Sequence, residues 1–300
     1  MSESKKLVFF GNEQLATGVD SDYSVLEALL DRGYDVIRIF SRPKDTDIEN
    51  LATRHNIPLT ISLDMGSVAK ELKNLKPAAG ILVAYGLVVP KEVIDIFPKG
   101  ILNIHPSLLP KGRGPAPIEE TILDGSKETG VSIMLLSEDM DKGPVLAQKK
   151  IGLSGHETKQ YLADNLLQTG SELLINCLES IFSGEGLEPV PQADTGATYT
   201  RKIKKEDGVI DWDKPAKAIE KEIRAYAGWP KSRTQLASVD SIITAAEVSD
   251  ESGKPGDYKV EGKSLSVFAG KGSLIIKRIQ PAGKREMSTD EFLRGYAQRL

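Results

Sequence analysis

An amide and an imidazole lie two residues apart, at Asn103 and His105, where an apolar run meets a loop. The run, residues 100–104, predicts a short strand, and alternate side chains of a strand share a face. An amide N–H can stabilise a developing oxyanion, and an imidazole can donate or accept a proton near neutral pH. Both groups could therefore serve one reacting atom, although a surface loop with a chance histidine fits the same spacing.

A carboxylate that orients the imidazole would turn this pair into a catalytic device. Three acids, Glu138, Asp139 and Asp141, lie in a turn over 137–143 that follows an apolar strand pattern. We expect this turn at the strand end that faces the open edge of the sheet. Spacing alone does not choose among the three acids, and an acidic hairpin turn without a catalytic role also fits.

Strand and helix patterns alternate over the first half of the chain, which predicts an α/β fold with a mostly parallel, Rossmann-like sheet. Ligands of such sheets lie beyond the carboxyl ends of the strands, where Asn103 and His105 fall. The first helix is expected to be capped by Ser21 or Asp22. The first strand lacks a following G-x-G-x-x-G, which argues against a dinucleotide ligand.

We predict strands over 6–11, 34–40, 57–61, 79–84, 100–104, 130–136 and 145–151. We predict helices ending at Arg32 and over 48–55, 68–75, 90–97, 117–123 and 156–182.

The last third of the chain has a different pattern. Residues 184–197 are polar and rich in Gly and Pro, as expected of an interdomain linker. A helix over 215–225, capped near Asp213, then precedes short alternating runs separated by turns, which predict a small β-barrel or sandwich closed by a helix over 288–296. We therefore expect a catalytic domain over 1–184, a linker over 185–200 and a second domain over 201–300.

The composition, 40% hydrophobic and 27% charged over 300 residues, is typical of two globular domains. We find no signal peptide or membrane span, and the single cysteine, Cys177, excludes an internal disulfide, so we expect a cytoplasmic protein. The net charge of −4 argues against a general nucleic-acid binder. Residues 201–300, however, carry 20 basic and 15 acidic side chains, whereas the rest carries 19 and 28. The two parts are therefore expected to meet different partners.

Several motifs extend the argument beyond single residues. They are LVFFG at 7–11, VAYGLVVPKEVID at 83–95, NIHPSLLPKGRGPAPI at 103–118, ETGVSIM at 128–134, DKGPVLAQ at 141–148, ATYTRKIKKEDGVIDW at 197–212 and IQPAGKREMSTDEFLRG at 279–295. On these motifs the sequence resembles the methionyl-tRNA formyltransferases, within the family that uses 10-formyltetrahydrofolate as formyl donor. The resemblance covers nearly the whole chain and implies a second domain similar to the oligonucleotide-binding fold.

The resemblance also implies a set of site residues. The catalytic ones are Asn103, His105 and Asp141, which would stabilise the tetrahedral oxyanion, orient the imidazole and remove the proton of the attacking amine without a metal. Ser107 is interpreted as a hydroxyl that shapes the loop rather than a nucleophile. Residues expected to contact the folate co-substrate or the tRNA 3′ end are Tyr85, Gly86, Leu87, Ser107, Leu108, Leu109, Pro110, Arg113, Ser137, Glu138 and Asp139.

The implied partners are initiator methionyl-tRNA and folate, with no membrane, and we expect a monomer. Basic residues expected to contact tRNA are Lys111, Lys202, Lys204, Lys205, Lys284 and Arg285. Two features depart from the family: the segment 41–47 is short where relatives carry a basic insertion, and Asn12-Glu13-Gln14 replaces Thr-Pro-Glu. These departures leave the mode of tRNA recognition open. Competing readings are an N-formyltransferase for an amino-sugar nucleotide, a catalytically silent tRNA-binding module and a hydrolase that releases formate.

Overall fold

The computed structural model describes residues 5–12, 15, 23–43, 46–236 and 238–296. Its amino-terminal part contains the strands β1 (Lys6–Gly11), β2 (Asp35–Ser41), β3 (Leu59–Ile61), β4 (Ala79–Val83), β5 (Ile101–His105), β6 (Glu128–Leu135) and β7 (Val145–Gly152). They form one sheet in the order β3-β2-β1-β4-β5-β6-β7. Strands β1 to β5 pair in parallel, whereas β6 is antiparallel to both β5 and β7. The predicted mostly parallel sheet is therefore confirmed.

Helices cover both faces of this sheet. They are α1 (Val25–Asp31), α2 (Thr46–Arg54), α3 (Met65–Leu75), α4 (Lys91–Ile94), α5 (Pro117–Asp124) and α6 (Lys159–Ser183). One face packs Phe9, Leu102 and Ile104 into a core with α1, α2, α5 and α6. The other packs Phe10 and Ile101 against α3 and α4. Among the described residues, no helix is both long and apolar enough to cross a lipid bilayer.

The helix starts differ from the sequence predictions. The expected cap at Ser21 or Asp22 is wrong, since Ser24 precedes α1 and its hydroxyl accepts a hydrogen bond of 3.0 Å from the Glu27 N–H. Ser21 and Asp22 themselves lie outside the described residues. Helix α6 begins at Lys159 rather than at residue 156, because Thr158 caps it by accepting from the Tyr161 N–H at 3.2 Å. Side-chain acceptors that were indistinguishable in sequence thus set both starts.

The segment after α6 follows the surface of the amino-terminal part. Gly184 ends the helix in a left-handed conformation with φ +86°. Val190 then forms a bridge with Val145, and Tyr199 forms one with Arg113. Residues 185–200 therefore lie against the loop between β5 and α5 (residues 106–116, the predicted catalytic loop) and against the β6–β7 connection.

The carboxyl-terminal part is an antiparallel sheet packed against helices α7 (Ala216–Ala225) and α8 (Thr289–Tyr296), after a 3₁₀ turn at Lys205–Gly208. The cap expected near Asp213 is wrong, because Pro215 precedes α7 and the Ala216 N–H donates to the Lys271 carbonyl at 2.9 Å. The strands are β8 (Ser232–Leu236), β9 (Val239–Ser249), β10 (Tyr258–Glu261), β11 (Ser264–Phe268), β12 (Ser273–Pro281) and β13 (Met287–Ser288). Their order is β10-β11-β12-β9-β8, with β13 on β12.

Candidate active site

Strand β5 places Asn103 and His105 on the same face of the sheet. Both are buried, with 5% and 4% of their surface exposed, while the alternate residues Leu102 and Ile104 enter the core on the opposite face. The Asn103 amide has no hydrogen-bond partner among the described residues. The Asn103 amide is not among the fully buried polar atoms that lack a partner, so it keeps contact with solvent and is open to a reacting group.

His105 is fixed by the loop that follows it. Its Nε2 lies 3.0 Å from the Gly112 carbonyl oxygen, and because a carbonyl only accepts, Nε2 must carry the proton in this contact. The other ring nitrogen, Nδ1, lies 3.8 Å from Asp141 Oδ1. That distance allows an ion pair but exceeds a hydrogen bond. A shift of about 1 Å in the Asp141 turn would therefore either bring Oδ1 within hydrogen-bond distance of Nδ1 or move the two atoms beyond ion-pair distance.

Asp141 reaches the site by a route that the strand pattern did not indicate. We expected its turn at the same open edge as His105, but β6 is antiparallel to β5, so Leu135 at the end of β6 pairs with Leu102 near the start of β5. The turn instead folds back across the face of the sheet. Asp141 adopts φ +53°, and its Oδ2 accepts a hydrogen bond of 2.8 Å from the Gly114 N–H. The carboxylate is thereby held between the loop and the imidazole.

The other acids of the turn do not reach His105. Glu138 and Asp139 are exposed, and Asp139 pairs with Lys142 at 3.8 Å. The Ser137 hydroxyl donates to the Asp139 carbonyl at 3.1 Å, which shapes the turn. Among the three acids that spacing left open, the structure therefore brings only Asp141 to the imidazole.

Ser107 shapes the loop in the structure. Its hydroxyl donates to the Lys111 carbonyl at 2.6 Å, and its own carbonyl accepts from Ser132 Oγ at 2.6 Å. The Ser132 hydroxyl also accepts from the Leu109 N–H at 3.1 Å and from Gln148 Nε2 at 2.8 Å. Ser132 and Gln148 are opposite each other on β6 and β7, and sequence reasoning missed both. For Ser132, a hydroxyl within the otherwise apolar run 131–135 was the signal that could have revealed it, whereas Gln148 lies in a more polar strand and carries no such signal.

Residues 108–110 continue this loop along the edge of the site. Leu109 is buried, its peptide bond to Pro110 is cis, and its carbonyl accepts from Gln148 Nε2 at 2.8 Å. Leu108 packs against Gly130, where a Cβ would lie 2.5 Å from its side chain. These residues support the loop through packing and backbone hydrogen bonds.

The segment after β4 offers backbone rather than side-chain groups. Tyr85 is 1% exposed, its ring meets Phe10 edge-on, and burial raises the pKa of its phenol to about 12. Gly86, by contrast, is exposed, and Leu87 is half-buried. A Cβ at Gly86 would lie 2.8 Å from Arg42 Nη1, so the Arg42 guanidinium packs against the backbone of Gly86. Sequence reasoning missed Arg42, which lies in the short segment 41–47; Glu13, Gln14, Lys44 and Asp45 are outside the described residues.

Arg113, which the sequence predicts as a substrate contact, is occupied by partners from residues 192–199 in the structure. The side chain is 1% exposed, and its Nε donates to Gln192 Oε1 at 3.1 Å. One terminal nitrogen donates to Asp194 at 3.2 Å and to the Tyr199 hydroxyl at 2.8 Å. Each partner belongs to the segment 185–200, so Arg113 anchors that segment to the catalytic loop.

The basic residues expected to contact tRNA are exposed. Lys111 lies beside the site, and the residues Lys202, Lys204 and Lys205 follow Thr200, whose N–H donates to the Arg113 carbonyl at 2.7 Å. Lys284 and Arg285 lie between β12 and β13, where Arg285 pairs with Glu291 at 3.5 Å. The structure therefore joins the first group, but not the second, to the catalytic loop.

Other reactive groups are not near this site. Among the described residues, no cluster of three His, Cys, Asp or Glu side chains has a geometry that could hold a metal. Cys177 is buried in α6, and burial raises the pKa of its thiol to about 11. At neutral pH this thiol is protonated and is a poor nucleophile.

Comparisons with known proteins address both parts of the chain. Residues 23–178 match the family described as formyl transferase, and residues 202–297 match its C-terminal domain. The methionyl-tRNA formyltransferase of Magnetococcus marinus is 36% identical over 304 residues, covering 97% of this chain and 95% of the relative. That of Chloroflexus aurantiacus is 37% identical over 306 residues, covering 97% of this chain and 96% of the relative.

Solved structures share the fold at lower identity. The N-formyltransferase from Helicobacter canadensis, in complex with folinic acid and dTDP-3-aminofucose, aligns with a TM-score of 0.68 at 18% identity, covering 92% of this chain and 98% of that one. HypX from Aquifex aeolicus, in complex with tetrahydrofolic acid, aligns with a TM-score of 0.66 at 17% identity over 97% of this chain. This chain spans 47% of the HypX chain.

Proposed function

Because this chain belongs to the formyl transferase family, we propose that it transfers a formyl group from 10-formyltetrahydrofolate to the amino group of initiator methionyl-tRNA. The observation that carries this proposal is the similarity to methionyl-tRNA formyltransferases over 97% of the chain, at 33–37% identity. The similarity includes the carboxyl-terminal part, which binding of the formyl donor alone would not require. Formylation of this acceptor serves translation initiation, in the cytoplasm.

The chemistry follows from the three groups on the β5 face. The amine attacks the formyl carbonyl, and the Asn103 amide donates an N–H to the oxygen as negative charge develops there. A preorganised donor of this kind contributes roughly 10²–10³-fold in rate. The amide is suited to this role because it has no partner among the described residues.

His105 and Asp141 take up the proton that the amine loses; as the tetrahedral intermediate collapses, the bond between the formyl carbon and N10 of the folate breaks, and a proton returns to N10. Since Nε2 donates to Gly112, Nδ1 is the ring atom that faces the reacting groups and the carboxylate. Asp141 receives a hydrogen bond from Gly114, which keeps one carboxylate oxygen anchored and leaves the other toward the imidazole. Nδ1 of the neutral ring carries no proton, so the imidazole or the carboxylate accepts the proton of the amine, directly or through water, and the protonated ring then pairs with Asp141, which holds its orientation.

The residues beside this face fit a reduced folate. Gly86 exposes its backbone next to the Arg42 guanidinium, and the 137–141 turn presents further backbone groups on the other side. Backbone donors and acceptors suit the amide edge of a pterin, and a guanidinium suits the carboxylates of its glutamate tail. We place the pterin along residues 84–87 and the 137–141 turn, with Ser107, Leu108, Leu109 and Pro110 forming the adjacent wall.

The acceptor approaches from the side of the carboxyl-terminal part. Lys111 and the run Lys202, Lys204 and Lys205 lie next to the catalytic loop and are exposed, as phosphate contacts must be. Lys284 and Arg285 would extend the contact along the tRNA. We assign residues 1–184 to catalysis, 185–200 to the linker and 201–300 to an oligonucleotide-binding-like domain, and we propose that the protein acts as a monomer.

A transfer assay tests the acceptor directly. The protein is incubated with formyl-labelled 10-formyltetrahydrofolate and, in separate reactions, charged initiator tRNA, amino-sugar nucleotides or no acceptor. We expect label on the methionyl group of the tRNA. Label only on a sugar would contradict the proposed acceptor, formate release without acceptor would indicate a hydrolase, and no turnover would indicate a silent tRNA-binding module.

A further inference from the structure

One side chain of the linker joins two backbone carbonyls of the Asp141 turn. Gln192 Nε2 donates to the Asp141 carbonyl at 2.8 Å and to the Gly143 carbonyl at 2.7 Å. Its Oε1 accepts from the buried Arg113 Nε at 3.1 Å. The orientation of this amide is unambiguous, because the guanidinium can only donate and the two carbonyls can only accept.

The Asp141 turn needs such support. Asp141 adopts φ +53°, in the left-handed region that is strained for a residue other than glycine. Gly143 packs so closely that a Cβ there would lie 1.8 Å from the Leu135 carbonyl oxygen. Two carbonyl dipoles of this turn converge on one NH₂ group, and without that donor they would repel each other.

The position of this turn matters to the site. Asp141 Oδ1 lies 3.8 Å from His105 Nδ1, just beyond a hydrogen bond. The Gly114 N–H holds the other carboxylate oxygen at 2.8 Å, and the neighbouring residue Arg113 holds Gln192. The loop therefore holds the Asp141 side chain, and the linker holds the backbone of the turn.

We propose that Gln192 is a positioning residue: it sets the backbone of the Asp141 turn, with Arg113 as its buried anchor, so that the carboxylate meets the imidazole during formyl transfer. This inference rests on the proposed function for the reaction, although the geometry does not depend on the acceptor. It gives the linker a part in the catalytic site in addition to its connection of two domains.

Two substitutions separate positioning from anchoring of the linker. Gln192→Glu keeps an acceptor for Arg113 and adds a charge that strengthens that contact, but it turns a carboxylate oxygen toward two carbonyls. Gln192→Leu removes the hydrogen bond with Arg113 and the two hydrogen bonds to the turn carbonyls. We expect both variants to lose kcat on the order of 10²-fold while KM for either substrate stays within about threefold. Gln235→Leu, which removes an exposed amide that donates to Asp240 at 3.2 Å, should match the wild type.

A double-mutant cycle tests whether Gln192 acts through Asp141. In an Asp141→Asn background, Gln192→Leu should lower kcat by no more than about threefold, because the group that it positions has lost its charge. Wild-type activity in Gln192→Glu would show that Gln192 only anchors the linker. A full additional loss in the Asp141→Asn background would equally overturn the proposal.

Hydrogen exchange provides a readout that needs no acceptor. The Gly114 N–H is bonded to Asp141 Oδ2, so its exchange in Gln192→Glu should accelerate by about tenfold or more, and it should not change in Gln235→Leu. Unchanged exchange would overturn the proposal even if Gln192→Leu fails to fold. If the wild type formylates an amino-sugar nucleotide instead, the proposed acceptor is wrong, but the same variants can be assayed on that substrate.

Discussion

Asp141 Oδ1 lies 3.8 Å from His105 Nδ1. His105 ends β5, whereas the Asp141 turn follows β6, whose end lies beside the start of β5 because the two strands are antiparallel. The carboxylate is anchored on its other oxygen by the Gly114 N–H. One carboxylate thus joins the loop, the turn and the imidazole. The effect of removing its charge can be separated from the effect of removing its hydrogen-bond acceptor.

Asp141→Asn should lower kcat on the order of 10²-fold or more. An asparagine can still accept from the Gly114 N–H through its carbonyl, so the turn should keep its place while the negative charge is lost. Single-turnover formyl transfer measures this effect. Asp250→Asn, at an exposed position outside the site, is the control for loss of a carboxylate and should retain activity; an equal loss in both variants would show that overall charge, not Asp141, matters.

Asn103→Leu should reduce kcat by roughly 10²–10³-fold with little change in KM. The reason is that the amide N–H of Asn103 donates mainly to the oxyanion that develops in the transition state. The substitution preserves approximate volume, and the amide has no partner among the described residues, so unfolding should be hardly affected. Steady-state kinetics with both substrates give the split. Asn74→Leu, on the exposed side of α3, controls for the loss of an amide, and a change confined to KM would contradict the oxyanion role.

The local parts of this site could be predicted from the sequence and the long-range parts could not. Alternation along a five-residue strand suffices to place Asn103 and His105 on one face. The approach of Asp141 depends on β6 running antiparallel, which a single apolar run does not reveal. Arg113 looked like a free loop cation because its burial is created by residues 192–199, about 80 positions later.

The hydrogen-bonded centre of the loop predicts a stability effect. Ser132 is fully buried, and its hydroxyl serves Ser107, Leu109 and Gln148. Ser132→Ala would leave the Ser107 carbonyl and the Leu109 N–H without this partner, and Gln148 Nε2 with only the Leu109 carbonyl, and should lower the free energy of unfolding by about 1–3 kcal/mol. Urea denaturation measures the change. Ser107→Ala should cost about 1 kcal/mol and retain formyl transfer, whereas abolished transfer in a folded Ser107→Ala protein would revive the nucleophile interpretation.

Tyr85 predicts a loss of stability at alkaline pH. Burial raises the pKa of its phenol from 10.0 to about 12. The unfolded chain releases this proton near pH 10 and the folded chain does not, so the stabilisation is complete below pH 10 and is lost as the pH rises toward 12. Urea midpoints across this range should fall less steeply in Tyr85→Phe than in the wild type. Tyr161→Phe, at an exposed hydroxyl, should leave the slope unchanged, and an unchanged slope in Tyr85→Phe would contradict the assignment.

The basic run beside the catalytic loop predicts a salt-dependent effect on tRNA alone. Changing Lys202, Lys204 and Lys205 to Gln should raise the KM for charged tRNA and leave the KM for the folate donor unaltered, since these exposed residues lie on the side of the carboxyl-terminal part. Each lost phosphate contact lowers the slope of log affinity against log salt by about 0.7–0.9, so the triple variant should lose roughly 2–3. The triple change Lys70→Gln, Lys73→Gln and Lys76→Gln, at exposed positions on and just after α3, removes the same number of charges and controls for net charge. An equal change of slope in that control would mean that overall charge, rather than this run, attracts the tRNA.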